Sequence, residues 1–140
     1  NSNVLDLFSG VGSFGIECLS RGANKVIFVE SYEGVLKILK RNLSQLSLKN
    51  KFKIIEENIY DDGSLIGLNF SFDIIFLDPP YKDKKFDKIF SKIKSKKLLK
   101  ESGIIILHRH KKDIEILPKF TKIFEEKKYG ISKIYFLKIS

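Results

Sequence analysis

Asp78, Pro79, Pro80 and Tyr81 stand in a row at the exit of an apolar run, Phe72 to Leu77. These residue types could hold a flat base that carries an exocyclic amine. An ionised Asp78 only accepts hydrogen bonds. Each proline fixes φ and has no N–H, so the carbonyls between them are left free along an extended, pre-aimed path. Tyr81 offers a ring on which a base can stack. Asp78, Pro79, Pro80 and Tyr81 are therefore the candidate catalytic residues.

A second chemistry stands near the start of the chain. Gly10-Val11-Gly12-Ser13-Phe14-Gly15 matches G-x-G-x-x-G at a strand-to-helix turn. Missing side chains let a ligand approach the backbone, and amides at a helix start favour negative groups. Proteins that bind NAD, FAD or S-adenosylmethionine share this pattern. Glu30, at the end of the next apolar run, can accept both hydroxyls of a ribose. Asp6 discriminates better. An acid in that position is awkward beside a pyrophosphate but suits a ligand with positive charge, and S-adenosylmethionine carries a sulfonium and an ammonium. Asn58 could meet an adenine edge, with Ile59 against the ring. The candidate cofactor contacts are Asp6, Phe8, Gly10, Gly12, Gly15, Glu30, Asn58 and Ile59, with Asp78 at the reacting end.

Charge divides the chain at Tyr81. Residues 1–81 carry 8 basic and 10 acidic groups, whereas residues 82–140 carry 18 and 7. The net charge of +9 is thus concentrated in the second part. A one-sided positive field is the footprint of a polyanion partner. Of the 26 basic residues 23 are Lys, a bias of composition that explains Lys over Arg but not the asymmetry. Lys82, Lys84, Lys85 and Lys88 follow Tyr81 directly and are the candidate phosphate contacts, with Lys92, Lys94, Lys96 and Lys97 beyond.

The remaining chemistry-bearing residues point elsewhere. Cys18 is the only cysteine, which excludes a disulfide framework and a Cys-based metal site and fits a reducing, cytoplasmic setting. Flanked by Ile16 and Leu19 on a helix, it reads as core, not nucleophile. His108-Arg109-His110 has no Cys or carboxylate at ligand spacing, so no metal site is expected there. No apolar run is long enough to span a bilayer, and no signal peptide is visible. The Asn1 start and the absence of methionine lead us to expect a piece of a longer protein.

The elements that must position these residues follow from periodicity. Short apolar runs at Val4–Phe8, 25–30, 51–55, Phe72–Leu77 and Gly103–His108 read as strands, the last buried on both faces by its continuity. Helices are expected from about Ser13 to Arg21, after a Ser31 cap with Val35, Leu39, Leu43 and Leu46 facing the sheet, and around Phe86, Ile89, Phe90 and Ile93. Two last runs, about Thr121–Lys127 and Ile131–Ile139, flank Tyr129-Gly130 as an antiparallel hairpin. Alternation of strand and helix predicts one α/β domain over residues 1–140, Rossmann-like, with a mostly parallel sheet wound on both faces by helices. Ligands of such sheets bind at the carboxyl ends of the strands, where both motifs fall.

DLFSGVGSFGIECLSRGA, then VIFVE, then FDIIFLDPPY resembles the RsmD-type bacterial 16S ribosomal RNA guanine-N2 methyltransferases, and the likeness spans nearly the whole chain. The resemblance implies a class I fold of seven strands and S-adenosylmethionine as cofactor. Asp6 and Gly10–Gly15 would line the methionine moiety, Glu30 would hold the ribose, Asn58 the adenine and Asp78–Tyr81 the target base. Asn58 stands where the family often has Asp. The partner implied is 16S ribosomal RNA or a small-subunit assembly particle, the protein acting as a cytoplasmic monomer. The family's N-terminal RNA-binding segment, ahead of the first strand, is not in this chain.

Three other readings use part of the same residues. A DNA adenine-N6 methyltransferase would share Asp-Pro-Pro-Tyr. A nicotinamide-dependent oxidoreductase would share the glycine turn and Glu30 but has no use for Asp78–Tyr81. A non-catalytic RNA-binding module would explain the basic half alone.

Overall fold

The computed structural model describes residues 1–83, 86–112 and 116–140. The chain divides into two compact units, Asn1–Leu68 and Asn69–Ser140.

The first unit begins with β1 (Asn3–Leu7), whose apolar run is buried along nearly its whole length. A tight turn at Ser9–Gly12 leads into α1 (Ser13–Ser20), which ends before Gly22 at φ +93°. β2 (Lys25–Val29) lies parallel to β1, and β3 (Phe52–Ile55) parallel to β2. Buried continuous runs of this kind are what a parallel strand with both faces covered requires. Between β2 and β3 runs α2 (Glu33–Ser44), which buries Leu36, Leu39 and Leu43. Leu39 and Leu43 fall as predicted, while Leu36 is buried in place of Val35 and Leu46 is half-buried.

Ser31 does not cap α2. The N-cap is Tyr32, without a side-chain cap bond. Glu30 Oε2 accepts the N–H groups of Ser31 (3.0 Å) and Tyr32 (3.1 Å), which fixes the chain just ahead of the helix.

The second unit carries β4 (Phe72–Leu77), α3 (Asp87–Ser95), β5 (Leu99–His110), β6 (Thr121–Tyr129) and β7 (Ser132–Ile139). β4 pairs parallel with β5; β5 and β6 both pair antiparallel with β7. The order within this unit is β4-β5-β7-β6, and that of the first is β3-β2-β1; the seven strands, mostly parallel with a closing antiparallel pair, are those expected. The predicted stripe of Phe86, Ile89, Phe90 and Ile93 is buried in full.

β5 departs from expectation in one respect. Its burial alternates, with Ile105, Leu107 and Arg109 buried and Ile104, Ile106, His108 and His110 only partly so. Its antiparallel pairing with β7 accounts for this, because antiparallel sheets tolerate a half-open face where parallel ones do not. Among the described residues, no helix is long and apolar enough to cross a membrane.

Candidate active site

The first unit builds a candidate cofactor site from backbone amides. Asp6 is 1% exposed, and its Oδ2 accepts the N–H of Gly15 at 3.2 Å. Ser9 Oγ donates to the Asp6 carbonyl at 2.6 Å. The expected charge near the cofactor is therefore placed beneath the turn, where it holds the start of α1 against β1. Gly15 is needed for a second reason: a Cβ there would sit 2.3 Å from Phe28 Cε1, inside the core. Gly12 has φ +91°, and a Cβ on it would meet Leu39 Cδ1 at 2.6 Å. Gly10 presents its N–H to Glu30 Oε1 at 2.8 Å.

Glu30 thus accepts three backbone N–H groups, from Gly10, Ser31 and Tyr32. A carboxylate has about four acceptor positions. The expectation that it takes both ribose hydroxyls is altered accordingly: one hydroxyl fits the remaining position, and the second requires an amide to be released. Phe8, Glu30, Asn58 and Ile59 line a single small cleft with Val29, Ser31 and Glu57. Phe8 is held at φ +58°, a costly conformation for a residue with a bulky side chain, and its ring lies 5.7 Å from that of Tyr60. Asn58 Oδ1 accepts the Tyr60 N–H at 2.9 Å, an Asx turn, while Ile59 is buried beneath it. An apolar wall beside an acceptor carboxylate and an amide fits an adenosine. Cys18 is half-buried, and burial, reinforced by the Asp6 and Glu17 charges, pushes its thiol up to about 11. It stays protonated at neutral pH.

The second unit builds a candidate base site from side chains. Pro80 O accepts the Asp83 N–H at 2.9 Å, closing a turn that leaves Tyr81 67% exposed. Asp78 is exposed at the carboxyl end of β4, and its Oδ1 lies 2.9 Å from His108 Nδ1. An ionised carboxylate cannot donate, so Nδ1 carries the proton. The other ring nitrogen, Nε2, lies 2.9 Å from Ser132 Oγ. Behind the turn Arg109 is 2% exposed. Its Nη1 donates to the carbonyls of Pro79 (3.2 Å) and Pro80 (3.3 Å), and its Nη2 to those of Tyr81 (3.1 Å) and Asp83 (2.9 Å). The guanidinium also lies over the Phe86 ring, 4.8 Å from its centre. Asp78, Pro79, Tyr81, His108 and Ser132 line a cleft of about 200 Å³, below the range of most small-molecule sites and open to one small flat group.

Two expectations are corrected here. The proline carbonyls are not left free by the absence of proline N–H groups; Arg109 occupies one lone pair of each. His108-Arg109-His110, from which no site was expected, lines the cleft of Asp78: His108 meets its carboxylate and Arg109 holds the turn after it. The missing carboxylate comes from β4, 30 residues away. The one signal that could have found it is a histidine at the carboxyl end of a strand, the edge at which such sheets bind ligands.

Of the candidate phosphate contacts, Lys82 is exposed beside the turn and Lys88 is exposed on α3. Lys84 and Lys85 lie outside the described residues. Lys92 is 8% exposed and belongs to the core side of α3, contrary to its place in the predicted basic face.

Comparison with known proteins identifies the family. The chain is 34% identical over 127 residues to ribosomal RNA small subunit methyltransferase D of Buchnera aphidicola, covering 91% of this chain and 65% of that protein. It superimposes on a conserved hypothetical protein of Streptococcus pyogenes with a TM-score of 0.82, at 31% identity over 97% of this chain and 84% of that one. A provisionally named methylase of Haemophilus influenzae gives a TM-score of 0.82 and 31% identity, covering 98% of this chain and 86% of that one. The chain spans 61 to 68% of the length of three curated relatives that it matches. The fold is that of the class I methyltransferases. The family described as conserved hypothetical protein 95 matches residues 1–138, and the chain belongs to that family, the RsmD-type methyltransferases.

Proposed function

We propose that this chain transfers a methyl group from S-adenosylmethionine to the exocyclic N2 of a guanine in 16S ribosomal RNA, free or within a small-subunit assembly particle, in the cytoplasm. The observation that carries the reading is the cleft in which Asp78, fixed by His108, stands with Pro79 and Tyr81 at the carboxyl end of β4. Membership of the family and the basic second half of the chain support RNA as the bearer of the amine. The cleft of Phe8, Glu30, Asn58 and Ile59 supports the cofactor.

S-adenosylmethionine supplies a methyl group on a positively charged sulfur, which leaves as a neutral thioether. The protein's task is to make the amine available. Asp78 Oδ1 is held by His108, so Oδ2 is presented to the N–H of the base. The second lone pair of the Pro79 carbonyl accepts the other N–H. Both bonds favour a pyramidal nitrogen whose lone pair can attack. Tyr81 stacks on the base and fixes its plane. As the C–N bond forms and the S–C bond breaks, the nitrogen loses one proton towards the carboxylate side. Most of the acceleration comes from positioning.

Transfer of labelled methyl to small-subunit RNA, followed by digestion to nucleosides, should yield N2-methylguanosine. Label in N6-methyladenine of a DNA substrate instead would overturn the assignment. Asp78→Ala should abolish transfer while calorimetry shows the cofactor still bound; turnover within a few-fold of the unaltered protein would remove Asp78 from the chemistry.

A further inference from the structure

β6 is exposed at eight of its nine positions. Its cross-strand pairing with β7 places Lys122 directly opposite Lys138. Like charges in that position destabilise a sheet. Lysine on an outer strand is a common guard against edge-to-edge pairing. That explains single lysines, but not a pair set against each other, nor the aromatic rings among them.

The rings are placed by a β-bulge. The register slips between Ile123 and Glu125, which makes Phe124 the inserted residue. A bulge re-aims a side chain. Phe124 here is 47% exposed and its ring lies 6.3 Å from that of Phe136. Lys138 Nζ lies over the Phe124 ring and Lys127 Nζ over the Phe136 ring, each at 5.8 Å. Glu125 pairs with Lys127 at 3.3 Å, so the cluster keeps a net positive charge.

This face is continuous with the cleft around Asp78. Ser132, which hydrogen-bonds His108, begins the β7 face that continues through Ile134 and Phe136 to Lys138. From Ser132 to Phe136 is about 13 Å along the strand. Alternating cations and ring faces on a groove are how proteins hold single-stranded nucleic acid without reading its sequence.

We propose that this face of the β6–β7 hairpin binds the single-stranded RNA that flanks the target nucleotide. Lys122 and Lys138 meet phosphates, and Phe124 and Phe136 stack on bases. The proposal rests on ribosomal RNA as substrate and adds the surface that carries it. The test is binding of a short single-stranded RNA to the full chain over a series of salt concentrations. Lys122→Gln with Lys138→Gln should weaken binding about ten-fold at low salt and reduce the salt slope by about 1.4, two phosphate contacts. Phe124→Ala should weaken it by roughly ten-fold and leave the slope unchanged. Lys49→Gln with Lys51→Gln, on the first unit, should change neither. Circular dichroism and the urea midpoint establish that each variant is folded. RNA binding by the unaltered chain that both hairpin variants retain overturns the surface alone. No salt-dependent RNA binding by the unaltered chain overturns the ribosomal RNA reading, and the surface with it. A duplex RNA bound more tightly than the single strand, and unaffected by Phe124→Ala, overturns the single-strand assignment.

Discussion

The two candidate sites, one in each unit, solve one problem in opposite ways. Each must hold a carboxylate at the end of a strand. In the first unit, Asp6 and Glu30 are held by main-chain N–H groups, of Gly15 in α1 for Asp6 and of Gly10, Ser31 and Tyr32 for Glu30. In the second, Asp78 is held by the side chain of His108, and the turn after it by the side chain of Arg109. A carboxylate held by amides depends on backbone shape, and hence on glycine. One held by side chains depends on what a distant strand brings. The first site should therefore fail when a Cβ is added, and the second when a side chain is removed.

The largest effect is expected at Arg109. Arg109→Leu removes a donor from four main-chain carbonyls in a buried to half-buried setting; that of Pro80 keeps the Asp83 N–H, and the others each lose about 1–3 kcal/mol less whatever water recovers. We expect a loss of about 3 kcal/mol or more in urea unfolding, together with loss of methyl transfer. Stability within about 1 kcal/mol of the unaltered protein would show that the turn after β4 holds itself.

Gly15→Ala tests the other site. The added Cβ would lie 2.3 Å from Phe28, which is fully buried and cannot swing away. Overpacking of this kind costs about 1–3 kcal/mol. Calorimetry should also show weaker cofactor binding, because α1 is displaced from the turn that Glu30 holds. A variant as stable as the original, with cofactor affinity unchanged, would mean that the first site does not depend on close packing.

The smallest effect separates orientation from packing at His108. His108→Ala should lower turnover by roughly ten-fold, about 1.4 kcal/mol, with the KM for the cofactor unchanged. His108→Asn, whose amide can donate from nearly the position of Nδ1, should recover most of it. Equal loss in both variants would assign His108 to the fold of β5, not to the orientation of Asp78.

The same contrast explains what could be read in the residues. The glycine turn, Glu30 and the run Phe72–Leu77 before Asp78 were legible because their geometry is local: a turn with φ above zero needs glycine, and a strand buried on both faces needs an unbroken apolar run. Phe86, Ile89, Phe90 and Ile93 were legible for the same reason, as one stripe of a helix. Ser31 misled because a hydroxyl before a helix looks like a cap, whereas the helix begins one residue later, with Tyr32 at the N-cap. Lys92 misled because a count of lysines does not say which of them the helix turns inward. His108 and Arg109 were invisible as site residues, since nothing in their own segment names a partner.

The sequence by itself determined the order of strands and helices, the glycine turn, and the identity of the groups at each strand end, because all of these follow from periodicity and from the conformational demands of single residues. The tertiary structure alone decided which groups hold which. Parallel pairing of β4 with β5 sets His108 against Asp78 and places Arg109 behind the proline carbonyls. Antiparallel pairing of β5 with β7 supplies Ser132. Strand pairing joins residues 24 to 30 positions apart through hydrogen bonds that any sequence can make, so the partner of a side chain is fixed by register and not by its neighbours along the chain.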